Sequence, residues 1–182
     1  MLFRSSHQTG IPEMRPMVLE FPHDPAVNYL DMQYMLGSKL LVAPVFNEEG
    51  HVDYYLPEGR WTHLYSEGKR EGGHWYGEDY DYFSLPIYVR ENSLLPLGGC
   101  KDRPDYDYCE GLELHLYEPK NGGSDCVIIP DTKGDPVLEA AFRCENGEIT
   151  LTLSHPVPGL NLIVHSGAER KVYPVESSEI RI

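Results

Sequence analysis

The sequence predicts a mainly β protein: two small β-sandwich modules preceded by a short segment that reads as a piece of something larger. Three observations carry this. Thirteen tyrosines and fifteen prolines favour strands and turns over long helices. From residue 47 onward, short runs with period-2 alternation are separated by turn residues. The first 36 residues, by contrast, hold one short apolar run bounded by breakers. A lone strand of that kind cannot satisfy its own backbone or bury both faces.

Residues 1–9 are polar and run into Gly10, as the tail of a helix and its stop would. Met14 to Phe21 is short, largely apolar and closed by Pro22, which predicts a buried strand. Asp24 or Asn28 then caps a short helix with Pro25 in its first turn; Leu30, Tyr34 and Met35 share a face and Gly37 ends it. KLLVAPVF (39–46) reads as a strand in which Pro44 marks an end, an edge or a bulge. Leu56-Pro57-Glu58-Gly59 is a turn between two strand-like runs, and SLPIYVRENSLLPL is two short strands joined around Glu91-Asn92. Between them lies SEGKREGGHWYGEDYDYF, a polar, glycine-rich loop studded with aromatics. A boundary at Gly98-Gly99 divides a module over 38–98 from one over 99–182. In the latter, LELHLYEP, VLEAAFRC, EITLTLSH and LNLIVHSG are strand-like. The expected core members are Leu40, Val42, Ile87, Val89, Leu114, Leu116, Leu151 and Leu153.

A net charge of −14 and a pI near 4.9 repel phosphate backbones, which argues against nucleic-acid binding. The longest apolar run, Leu40 to Phe46, is far too short to span a bilayer, so no membrane partner is expected. The opening MLFRSSHQTG lacks a signal-peptide core, so the expected location is cytoplasmic. Cys100, Cys109, Cys126 and Cys144 have no C-x-x-C spacing; free thiols are expected, with no metal and no cofactor.

Glycoside hydrolysis needs two carboxyl groups across one bond. The acidic runs Glu78-Asp79-Tyr80-Asp81 and Asp102 to Asp107 lie in polar stretches and read as solvated loops. Asp102, Asp105 and Asp107 lack the glycine and distal glutamate of a calcium loop. The eight histidines form no metalloprotease motif. Tyr54, Tyr55, Trp61, Tyr65, Trp75, Tyr76, Tyr80 and Tyr82 crowd into one stretch. Half pointing into a sandwich core and half packing on a neighbour is the plain expectation, and sugar stacking the sharper one.

RPMVLEFPHDPAVNYLDMQYMLGSKLLVAPVF (15–46) resembles the junction between the catalytic barrel and the following β-domain of glycoside hydrolase family 31. The phrases E-F-P-x-D-P-A and Q-Y-M-L-G are similar to its α-xylosidase branch. The similarity continues through YYLPEGRWTHLYSEGK and LPIYVRENSLLPLG, then more weakly through RPDYDY and EGLELHLY. The resemblance implies that residues 1–37 are a remnant (last strand and flanking helices) of a (β/α)8 barrel, with Met14–Phe21 as its eighth strand. It implies a proximal C-terminal β-sandwich over 38–98 and a distal one over 99–182. The family's catalytic aspartates lie on earlier barrel strands, so no catalytic residue is carried over and no substrate-binding residue is assigned. Glu20 and Phe21 are placed near the end of that strand as candidates for a supporting shell. The function so implied is structural support for a missing catalytic barrel, encoded in the same gene or an adjoining frame. A freestanding carbohydrate-binding or interaction module is the alternative, with carbohydrate as its ligand, and the unpaired edge of residues 1–36 is expected to favour self-association.

Overall fold

In the computed structural model, which describes Ser6 and residues 9–182, the first strand is cut short by a proline. Strand β1 covers only Met14–Pro16; Met17–Glu20 then forms a single helical turn, α1, with no side-chain cap. The strand expected over Met14–Phe21 is thus corrected. Pro16 offers no N–H to continue a ladder, and the turn that follows buries Met17 completely while Val18 and Leu19 stay exposed. The helix expected over residues 1–9 lies largely outside the described residues; at its foot Gly10 adopts φ +72° and donates to the Ser6 carbonyl at 2.8 Å.

Asp24 caps a helix as expected, its Oδ1 accepting from Ala26 N at 3.0 Å, with Pro25 in the first turn. That helix is a 3-10 turn over Pro25–Tyr29 and stops there. Tyr34 and Met35 are not on it: Tyr34–Leu36 is strand β2, paired with β1 and with β3 (Leu40–Val42). Gly37, at φ +63°, turns the chain between the latter two. Leu30 and Tyr34 have helical spacing, but backbone pairing on both sides of β2 outweighs that periodicity.

The chain divides into two compact units, one running to Glu91 and the other from Asn92 to Ile182. In the first, β1, β2 and β3 are joined by β8 (Ile87–Arg90), β5 (Arg60–His63) and β6 (Lys69–Glu71), giving a six-stranded sheet in the order β1-β2-β3-β8-β5-β6. Strands β4 (His51–Leu56) and β7 (His74–Asp79) form a separate antiparallel pair. The turn at Pro57–Gly59 therefore carries the chain from one sheet to another. Gly72 lets it pass: a Cβ there would overlap the Pro57 carbonyl. The core gathers Met17, Val27, Met35, Leu41, Tyr54, Leu56, Trp61 and Tyr88. Residues 14–36 share this core and are stitched to β4, because the Gln33 amide pairs with both backbone groups of Tyr55 at 2.8 Å.

The second unit begins earlier than the sequence boundary at Gly98-Gly99. Strand β9 (Ser93–Leu97) does not form a hairpin with β8 but pairs with β10 (Glu113–Tyr117). Asn92, in the left-handed region at φ +56°, makes the turn between units. One sheet runs β15-β14-β10-β9, with β14 (Asn161–Ser166) parallel to β10 and β15 (Glu169–Pro174) antiparallel to β14. The other is antiparallel, β11 (Ser124–Pro130), β12 (Pro136–Glu145), β13 (Glu148–Leu153) and β16 (Glu179–Arg181). On β12 every second side chain, Leu138, Ala140, Phe142 and Cys144, is buried. They pack with Leu94, Leu114, Leu116, Leu151, Leu153 and Leu162. Of the expected core set, only Leu40 and Ile87 are half-buried; the other six are buried.

Candidate functional site

Alternation along β7 turns Glu78 inward and Asp79 outward, so the acidic run is not uniformly solvated as the sequence suggested. Glu78 is half-buried, and its carboxylate gathers three donors. Oε2 accepts from the Tyr54 and Tyr80 hydroxyls, each at 2.7 Å, and Oε1 from Arg70 Nη2 at 2.6 Å. The Tyr54 hydroxyl also shares a hydrogen bond with that of Tyr88 at 2.8 Å. Burial alone would raise the Glu78 pKa; the bonds from Tyr80, Arg70 and Tyr54 outweigh it and hold the carboxyl below the usual range. Burial, reinforced by these contacts, pushes the Tyr54 and Tyr80 hydroxyls well above their ordinary value. The result is a fixed carboxylate ringed by neutral phenols and one guanidinium. It ties the β4–β7 pair to β6, through Arg70, and to β8, through Tyr88.

His63 packs its ring edge-on to Tyr88, centroids 5.1 Å apart. Its Nδ1 accepts from Ser66 N at 3.1 Å, and burial lowers its pKa. The neighbouring acids turn elsewhere. Asp79 bonds His51 Nδ1 at 2.7 Å, and Asp81 closes a turn onto Ser84.

The aromatic stretch splits between core and surface. Tyr54, Tyr55 and Trp61 are buried, with Trp61 Nε1 donating to the Pro57 carbonyl at 2.7 Å. Tyr76 and Tyr80 are half-buried; Tyr65, Trp75 and Tyr82 are exposed. Trp75 lies beside Tyr55, whose hydroxyl donates to Asp24. Glu20 pairs with Arg15 at 2.5 Å, and Phe21 lies under the Arg90 guanidinium at 4.9 Å, so neither is grouped with the Glu78 cluster.

Sequence reasoning missed a second cluster. The parallel pairing of β10 with β14 sets His115 Nδ1 3.0 Å from His165 Nε2, with Glu113 Oε2 3.2 Å from the other His115 nitrogen. Tyr117 stacks on His165 with centroids 4.4 Å apart. Both imidazoles are buried. Among the described residues no group of three or more His, Cys, Asp or Glu side chains is arranged to hold a metal ion. All four cysteines are free thiols.

Residues 10–95 match the model described as "Glycosyl hydrolase family 31 C-terminal domain", and residues 107–180 that described as "Alpha-xylosidase YicI, C-terminal domain". Together the two matches span most of the chain, and the chain belongs to the C-terminal part of glycoside hydrolase family 31. It is similar to the α-xylosidase XylQ of Lactiplantibacillus pentosus, 38% identical over 78% of this chain and 19% of the relative. It is likewise similar to an α-xylosidase of Emericella nidulans, 44% identical over 60% of this chain and 15% of the relative. The fold is that of the matching part of the family 31 α-xylosidase structure from Xanthomonas citri: TM-score 0.78 at 20% identity, covering 100% of this chain and 22% of that one. The chain thus spans less than a quarter of each. Among the described residues no helix is long and apolar enough to cross a membrane.

Proposed function

We propose that the chain is the C-terminal, non-catalytic part of an α-xylosidase-like enzyme that hydrolyses O-glycosyl bonds of α-xylosides or related α-glycosides. Its β-modules brace a catalytic (β/α)8 barrel carried on further polypeptide, and residues 1–37 form the junction between that barrel and the first β-unit. The observation that carries this reading is the identity to two α-xylosidases, 38% and 44%, over a segment that is only 19% and 15% of their lengths. The N-terminal stretch supports it, because Ile11, Met14, Val18 and Leu19 are apolar yet exposed, as side chains awaiting a neighbour would be. On this reading no residue of the chain is a nucleophile or general acid. Glu78, ion-paired and held ionised, is a poor proton donor. The four free thiols suit a reducing, cytoplasmic setting.

The test is an assay of the purified chain on aryl α-xyloside and α-glucoside. Rates equal to a buffer blank are expected. Turnover well above the blank, abolished by replacing an acidic residue of this chain, would overturn the reading.

A further inference from the structure

The turn Asp81–Ser84 carries two of the most exposed large side chains described, Tyr82 at 96% and Phe83 at 91%. Yet its backbone is pinned. Asp81 Oδ1 accepts from Phe83 N at 3.0 Å and from the Ser84 hydroxyl at 2.5 Å; Ser84 Oγ accepts from Asp81 N at 3.1 Å, and Ser84 N donates to the Asp81 carbonyl at 3.2 Å. Pro86 follows, and then β8, which lies inside the six-stranded sheet between β3 and β5. Rings without a core role are thus held on a short, ordered support.

We propose that this turn is a preformed aromatic knob that seats in an apolar pocket of the catalytic domain, anchoring the first β-unit to it. The proposal rests on the reading given under Proposed function. The rings meet edge to face, interplanar angle 84° and centroids 5.5 Å apart, so they offer no common flat surface of the kind a sugar ring stacks on. A knob of this shape is buried from several sides at once, which a protein pocket does and a single saccharide does not. The further polypeptide is at hand in relatives, since this chain spans only 19% of the Lactiplantibacillus pentosus enzyme. Buried aromatic anchors set on a rigid support are where protein–protein binding energy concentrates.

To test this, the full chain is titrated by calorimetry with the part of the Lactiplantibacillus pentosus α-xylosidase that precedes the matching region, expressed separately and first shown by circular dichroism and a cooperative thermal transition to be folded. A complex is expected, and Tyr82→Ser with Phe83→Ser should weaken it about thirtyfold or more. Because both rings are exposed, the thermal midpoint of the double variant should match the parent. Asp81→Ala, which keeps both rings but frees the turn, should weaken the complex about threefold. Undiminished binding by the double variant would overturn the knob and leave the proposed function standing. No binding by the unaltered chain would count against both. Sedimentation of the chain alone supplies the remaining arm: a dimer abolished by the double substitution would make a second copy the occupant and overturn the proposal.

Discussion

The first unit and the second face the same task, holding two sheets against each other, with different materials. The first places Tyr54, Tyr55, Trp61 and Tyr88 among its buried side chains and fastens two hydroxyls and a guanidinium onto one carboxylate, Glu78, with the Tyr88 hydroxyl bonded to one of those hydroxyls. The second fills its interior with leucines, Ile129, Phe142 and Val164, and keeps its buried histidine pair, His115 and His165, on the β10–β14 ladder. A polar knot is directional and depends on protonation, whereas an aliphatic core depends on volume. The two units should therefore fail for different reasons. Both tryptophans, Trp61 and Trp75, lie in the first unit, so their fluorescence follows it alone while circular dichroism follows both.

The largest effect is expected in the aliphatic core. Phe142→Ala removes a buried ring and should cost about 4 kcal/mol in urea unfolding. The loss should register in the dichroism transition with little change in tryptophan fluorescence. If the fluorescence midpoint falls by as much, the two units do not unfold separately and the contrast fails.

Glu78→Ala should cost about 2 kcal/mol, because Tyr54, Tyr80 and Arg70 lose their shared acceptor. Here the tryptophan transition should move. An unchanged midpoint would mean that water replaces the carboxylate without penalty and that the knot is ornamental.

The smallest effect is on pH dependence. The folded His63 binds a proton less readily than the ordinary imidazole value of 6.5, so the unfolded chain protonates first and stability declines as pH falls below that value. Glu78, depressed below 4.5, contributes stability that is present above 4.5 and lost as pH drops through its folded pKa. Both signs point the same way, and the tryptophan-monitored midpoint should fall on acidification in two stages. His63→Gln should remove the upper stage alone; its persistence would assign it to another group.

The contrast also separates what could be read in advance. VLEAAFRC alternates so regularly that β12 and its buried face follow from the residues, because one face of a strand must find a core. The N-terminal stretch was legible only in part. Met14–Phe21 looks largely apolar, but Pro16 ends the ladder, and Leu30 and Tyr34 have a helical spacing that strand pairing overrides. The Glu78 knot was hidden because its members come from four strands and the segment after β7, and only the fold converges them. His115 and His165 are fifty residues apart, and nothing in either neighbourhood announces the other. Local periodicity shows which face a side chain takes, but not which distant partner it meets.

The parallel pairing of β10 with β14 also fixes an order of assembly. Strands β9 and β10 are hydrogen-bonded neighbours, as are β11, β12 and β13 in turn, so these contacts close over relatively short stretches. The ladder between β10 and β14 must close over everything in between, and long closures are the slow ones. During synthesis from the N-terminus, one edge of β10, together with Leu114 and Leu116, waits uncovered until Leu162 and Val164 have been made. The interval between those two events is when this unit is most open to pairing with a strand of another molecule.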